Sequence, residues 1–206
     1  MSYEIDKKVK IVLVGDTNVG KTTLFNKLRC EDYVKESPTI GVDFTVLRKN
    51  INNENIKINI WDTAGQERFK SIVRSYFREI SGAILIFDLS EYSSYINIQN
   101  WLNLINQENT CDHNHPVLLI GNKSDKRQII NNKDIEKIIQ SELVIYKEVS
   151  IINESYDSLE GLVTKLIEKI LLNANTCNGI TSFNDDKKSF ILNEKIIEIS
   201  KTKCCK

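Results

Sequence analysis

Val9-Lys10-Ile11-Val12-Leu13-Val14-Gly15-Asp16-Thr17-Asn18-Val19-Gly20-Lys21-Thr22 is the stretch that decides the fold. Its first six residues form a short, β-branched apolar run that reads as a buried strand ending at Gly15. The next eight have the spacing G-x-x-x-x-G-K-[ST] and open a helical pattern over 22–28. A strand before the glycines and a helix after them is the context in which this spacing holds phosphate rather than making an ordinary turn. The glycines permit a tight bend, so backbone N–H groups and the helix N-terminus converge on the α- and β-phosphates of a nucleotide. Lys21 is expected to reach the β- and γ-phosphates and the Thr22 hydroxyl to ligate Mg²⁺, with Asp16, Thr17, Asn18, Val19 and Thr23 completing the lining.

Outward from this loop, apolar runs recur at 44–51, 56–61, 83–87, 117–120 and 144–149, and helical patterns fall at 96–105, 134–139 and 159–172. Strand alternating with helix at this spacing predicts an α/β fold, a parallel sheet with helices on both faces. One pair breaks the alternation. Only Asn52-Asn53-Glu54-Asn55 separates the runs at 44–51 and 56–61, too few residues for a helical crossover, so these two are expected to form an antiparallel hairpin at the sheet edge. The periodicity fades after Leu172, which predicts a single domain over 1–172 and a flexible, lysine-rich tail over 173–206, with a short amphipathic stretch around Phe190 and Ile197 as the only ordered element it could hold.

Composition bounds the rest. Among 206 residues, 41% are hydrophobic and 27% charged, enough for one proper core. Lys and Arg total 28 and Asp and Glu total 28, so there is no basic footprint for nucleic acid and any bound anion must be held locally. Cys30, Cys111, Cys177, Cys204 and Cys205 match neither a zinc site nor a secreted disulfide framework, which points to a reducing, cytoplasmic setting. His113 and His115 have no further ligand at metal spacing. No apolar run approaches the roughly 18 residues that span a bilayer, and Met1-Ser2-Tyr3-Glu4 lacks both an apolar leader and a myristoylation glycine.

Two further segments sit where strands end. Asp62-Thr63-Ala64-Gly65-Gln66 follows the run at 56–61, and a carboxylate there, beside the phosphate loop, suits Mg²⁺ through water. Asn122-Lys123-Ser124-Asp125 follows the run at 117–120, at the sheet edge where open α/β folds place ligands. The Asp125 carboxylate can accept both N–H groups on one edge of guanine. Adenine would leave it unpaired, at a cost on the order of 10³-fold in affinity.

With these motifs together, the chain resembles the Ras-superfamily GTPases, and the Rab branch in particular, from about Lys8 to Leu172 and again at the C-terminus. The likeness is carried by Ile40-Gly41-Val42-Asp43-Phe44, by Trp61-Asp62-Thr63-Ala64-Gly65-Gln66-Glu67-Arg68-Phe69, and by Ser75-Tyr76-Phe77 followed by Gly82-Ala83-Ile84-Leu85. The resemblance implies a P-loop NTPase fold, a six-stranded, mostly parallel sheet with one antiparallel edge strand and five helices. It implies that Thr39 ligates Mg²⁺ and senses the γ-phosphate, that the Gly65 amide contacts that phosphate, and that Gln66 orients the attacking water. Phe44, Trp61 and Tyr76 match an aromatic surface read by effectors, and exchange factors and activating proteins are implied partners of a monomer.

Two departures stand out. Where the family carries Ser-Ala-Lys after the sixth strand, this chain has Ser150-Ile151-Ile152, which leaves base contact to the Ile151 backbone, and Thr17-Asn18 replaces the commoner Ser-Gly. No insertion between Lys21 and Thr39 supplies an arginine in cis, so GTP hydrolysis is expected on the order of 10⁻⁴ to 10⁻² s⁻¹, accelerated by a partner's arginine. Cys204-Cys205 resembles a doubly geranylgeranylated Rab end, giving a lipid anchor that cycles the protein onto the cytosolic face of a membrane. A module that holds guanine nucleotide but barely hydrolyses it, and a P-loop ATPase or kinase, are the alternatives. Asp125 argues against the latter.

Overall fold

The computed structural model describes residues 7–29, 42–63, 77–107, 115–130, 132–139 and 141–176. The elements are β1 (Lys7–Val14), α1 (Lys21–Leu28), β2 (Val42–Ile51), β3 (Glu54–Thr63), β4 (Gly82–Asp88), α2 (Tyr92–Ile96), α3 (Ile98–Gln107), β5 (Val117–Asn122), α4 (Asn132–Glu136), β6 (Val144–Glu148) and α5 (Tyr156–Thr176). The six strands make one sheet in the order β2-β3-β1-β4-β5-β6. Every neighbouring pair is parallel except β2 with β3. The expected edge hairpin is therefore present, and it closes more tightly than the four-residue gap suggested. Asn52 and Asn53 alone turn the chain, at φ 53° and 65°, left-handed values that asparagine tolerates and that match the twist of a two-residue hairpin.

Alternation along the strands sends side chains to two cores. Val9, Ile11 and Leu13 of β1, Ile58 and Ile60 of β3 and Leu118 and Ile120 of β5 pack with Leu24, Phe25 and Leu28 of α1 and Leu166 and Ile167 of α5. Val12 and Val14 of β1, Leu85 and Phe87 of β4 and Leu119 of β5 face the other way, onto Ile98, Trp101 and Ile105 of α3 and Ile135 of α4. Both faces of the sheet are thus covered, and α1 and α3 lie on opposite sides of β1.

The predicted helices differ from the observed ones at their limits. The pattern at 96–105 resolves into α2 and α3, joined through Asn97, whose N–H still donates to Ser93 O and whose carbonyl accepts from Trp101 N. Helix α4 starts two residues ahead of the predicted 134 and ends at Glu136, with turns to 139. Helix α5 begins at Tyr156 and continues to Thr176, four residues past the predicted domain limit at 172. The polar composition after Leu172 hid that last turn.

Candidate active site

The glycine-rich loop leaves β1 at the centre of the sheet. Gly15 has φ +134°, and a Cβ there would lie 2.1 Å from the Ile86 carbonyl oxygen of β4. Gly20 has φ +107°, and its Cβ would meet the Asn122 amide nitrogen at 2.3 Å. Only glycine fits these two turns, so their spacing is dictated by backbone approach on both sides of the loop. Gly20 is also the N-cap of α1, which has no side-chain cap and no acidic residue in its first turn. Its first amides and its positive end are thereby left to an anion.

Lys21, the first residue of α1, is buried at 5% exposure and curls back over the loop. Its Nζ donates to Gly15 O at 3.0 Å and Asp16 O at 2.7 Å. Burial lowers its pKa to about 8, against the opposing pull of Asp62 and Asp16. One turn position further, the Thr22 hydroxyl donates to Asp62 Oδ2 at 2.6 Å, bringing the two candidate Mg²⁺ ligands together from α1 and β3. Asp62 is fully buried and Thr63 beside it anchors to Leu13 O at 2.7 Å.

The base-side loops meet the phosphate loop through Asn122. Its Nδ2 donates to Val19 O at 2.7 Å, while its Oδ1 accepts from Ile151 N at 2.9 Å. Lys123, left-handed at φ 64°, reaches Asn18 O at 2.8 Å and forms an ion pair with Asp88 at 2.6 Å. Burial opposes the charge on Asp88, but hydrogen bonds from Lys123 and Ser90 outweigh it and hold the carboxyl below its ordinary range. Asp125 Oδ1 accepts from the Ser150 hydroxyl at 2.5 Å, and Ser124 N donates to Val149 O at 3.2 Å. Ile151 is fully buried; Ile152, at the place of the family's lysine, is 53% exposed.

Residues 15–23, Asp62, Asn122, Lys123, Asp125, Ser150 and Ile151 are therefore brought together at the C-terminal edge of the sheet. Thr39, Gly65, Gln66 and Tyr76 lie outside the described residues, as do Ile40, Gly41, His113, Cys204 and Cys205. Phe44 and Trp61 face each other across the edge hairpin, ring centroids 4.7 Å apart. Sequence reading missed the supports. Lys27 of α1 donates to Ile152 O at 2.6 Å and Glu154 O at 2.8 Å, clasping the loop that follows β6. Asn97 and Trp101 hold the Asp16 carboxylate. Nothing in local spacing announces these contacts, which link positions 81 to 127 residues apart.

A phosphate loop at the end of a central strand, a paired Thr and Asp beside it, and an Asn-Lys-Ser-Asp loop across from it define a P-loop nucleotide-binding protein built for guanine. The chain belongs to the Ras family, whose model matches residues 10–171. It is similar to the Ras-related protein RABA1c of Arabidopsis thaliana, 37% identical over 150 residues that cover 71% of this chain and 68% of that one. It is 36% identical to the Ras-related protein Rab-19 of Xenopus laevis over 190 residues, 90% of this chain and 86% of its relative. With the Ras-related protein YPT3 of Nicotiana plumbaginifolia the identity is 35% over 170 residues, 81% and 76% of the two chains. The chain is a Rab-like small GTPase, a guanine-nucleotide-binding GTP hydrolase of membrane trafficking that works through regulators and effectors. Among the described residues no helix is long and apolar enough to cross a membrane.

Proposed function

We propose that the nucleotide lies across the loop edge with its phosphates on Gly15-Asp16-Thr17-Asn18-Val19-Gly20-Lys21-Thr22-Thr23 and its guanine against Asn122, Lys123, Asp125, Ser150 and Ile151. The observation that carries this reading is Asn122, whose single amide hydrogen-bonds both the phosphate loop and the base loop. It sets the spacing between a phosphate site and a base site. Asp125 accepts the guanine N–H pair, with Ser150 keeping the carboxylate aimed. Lys21 holds the β- and γ-phosphates, whose negative charge favours its ammonium against the burial that lowers its pKa.

The donor set at Thr22 and Asp62, a hydroxyl and a carboxylate within 2.6 Å, suits a hard cation that takes few protein oxygens and completes its shell with phosphate and water. Mg²⁺ fits there, with Thr39 as a third protein ligand, and when bound it supplies neutralising charge at the β–γ bridge. Gln66 orients the attacking water and the Gly65 amide meets the γ-phosphate. Turnover is slow until a partner contributes an arginine. The γ-phosphate orders the segments around Thr39 and Gln66, and effectors read that state through Ile40-Gly41-Val42-Asp43-Phe44, Trp61 and Tyr76. A monomeric domain whose last helix reaches Thr176 would cycle from the cytoplasm onto a membrane through prenylated Cys204 and Cys205 in the tail that follows.

Chromatography of the nucleotide released on denaturing freshly purified protein tests the core of this reading. GDP or GTP at close to one per chain is the expected result. An empty protein, or one carrying adenine nucleotide, would overturn the assignment of Asp125 and Asn122.

A further inference from the structure

Asp16 poses an electrostatic problem. It places a carboxylate at the second position of a loop whose partner is a polyphosphate, and like charges at such range repel. Both of its oxygens are occupied from one direction. Asn97 Nδ2 donates to Oδ2 at 2.7 Å and Trp101 Nε1 donates to Oδ1 at 2.8 Å. Trp101 is itself buried at 7% exposure in the core between α3 and the sheet, and Asn97 sits at the junction of α2 and α3, so neither donor is loosely held. Helix α3 covers the opposite face of the sheet from α1, whose N-terminus presents Lys21 and Thr22. Meanwhile the main-chain oxygen of the same Asp16 accepts from Lys21 Nζ at 2.7 Å.

We propose that Asn97 and Trp101 are positioning residues for nucleotide binding, acting by tethering the Asp16 carboxylate to α3 and so keeping its charge off the phosphates while fixing the carbonyl that Lys21 holds. The inference rests on the phosphate site proposed above and adds to it a requirement from α3. Both donors are neutral, so they aim the charge without cancelling it. Losing them releases a carboxylate that can swing toward the ligand, which damages binding more than losing the carboxylate itself.

The test is a charge-dependent rescue. The N97A/W101F variant keeps an aromatic ring in the core and removes both N–H donors. Loaded with N-methylanthraniloyl-GDP in Mg²⁺ buffer and chased with excess GDP, it is expected to release the analogue at least roughly tenfold faster than wild type, the size of a lost hydrogen-bond pair to a charged group. Adding D16N, which removes the charge at constant shape, is expected to recover most of that loss, whereas a purely structural injury would persist or deepen. Release by N97A/W101F at the wild-type rate, or a D16N/N97A/W101F variant no slower than its parent, overturns the proposal. Circular dichroism melting checks folding, and if Trp101→Phe does not fold, N97A with and without D16N gives the same comparison from the half-buried partner alone. A wild-type protein that holds no guanine nucleotide defeats the functional reading instead. One that holds it while the rescue fails defeats only this inference.

Discussion

Single side chains in this molecule act mainly by aiming backbone. Lys27 is the clearest case, a surface-facing lysine on α1 whose ammonium is spent on the carbonyls of Ile152 and Glu154 rather than on a carboxylate. Those two carbonyls belong to the loop that carries Ser150 and Ile151, so the lysine stiffens from outside the segment proposed to seat the base. Lys27→Met keeps the stem and removes the donors. Guanine nucleotide release is expected to quicken by about 5- to 20-fold, since two charge-assisted bonds leave a loop that must stay ordered to bind. The melting temperature should drop only slightly, because the lysine head is at the surface. An unchanged release rate measured by fluorescent-GDP chase would mean that the loop is held by Asn122 and Ser150 alone.

Helices and strands supply the rigidity those side chains rely on. Helix α5 lays Leu159, Val163, Leu166, Ile167 and Ile170 along one apolar stripe against α1, β4 and β5, and Leu166 is fully buried there. Leu166→Ala removes most of that side chain from a packed interior and is expected to cost about 2–5 kcal/mol, read as a shift in urea midpoint at constant slope. The elements were legible in proportion to how local their causes are. The strand at 9–14 and the glycine loop after it are determined by residues adjacent in sequence, and both are found where the pattern puts them. The hairpin followed from the shortness of its link. The end of α5 did not, because Asn173-Ala174-Asn175 reads as polar coil while the helix continues through it. The phosphate loop, Asp62 and the Asn122–Asp125 loop could be named as candidates from local motifs for the same reason, whereas Ser150 and Ile151 follow only from the family resemblance. Asn97, Trp101 and Lys27 could not, since each meets its partner only after the sheet has brought distant segments together.

The whole molecule has a weak point in acid. His115 lies half-buried just ahead of β5, where Pro116 O accepts from Ala83 N, and burial lowers its pKa to about 4. The unfolded chain protonates this imidazole near the ordinary value of 6.5, so below that pH the unfolded state binds a proton the folded state refuses. Stability is therefore expected to be insensitive to this group above pH 7 and to fall between about 6.5 and 4, by on the order of 1–3 kcal/mol. Urea titrations at pH 7.5 and pH 5 should reveal the loss, and His115→Gln should flatten it. Equal slopes in the two proteins would place the acid sensitivity elsewhere.

The strand order has a consequence for the birth of the protein. β1 and its phosphate loop leave the ribosome first, yet the strands that flank β1 are β3 and β4, and the loops that complete the pocket stand at 122–125 and 150–154. At about 5–20 residues per second, something on the order of ten seconds separates the two ends of the site during synthesis. A nascent chain can offer phosphate a glycine loop, but it cannot offer guanine a seat until translation of the domain is almost done. On the base site proposed above, nucleotide capture is thus a receipt for finished folding, and a chain stalled short of Ile151 is expected to retain none.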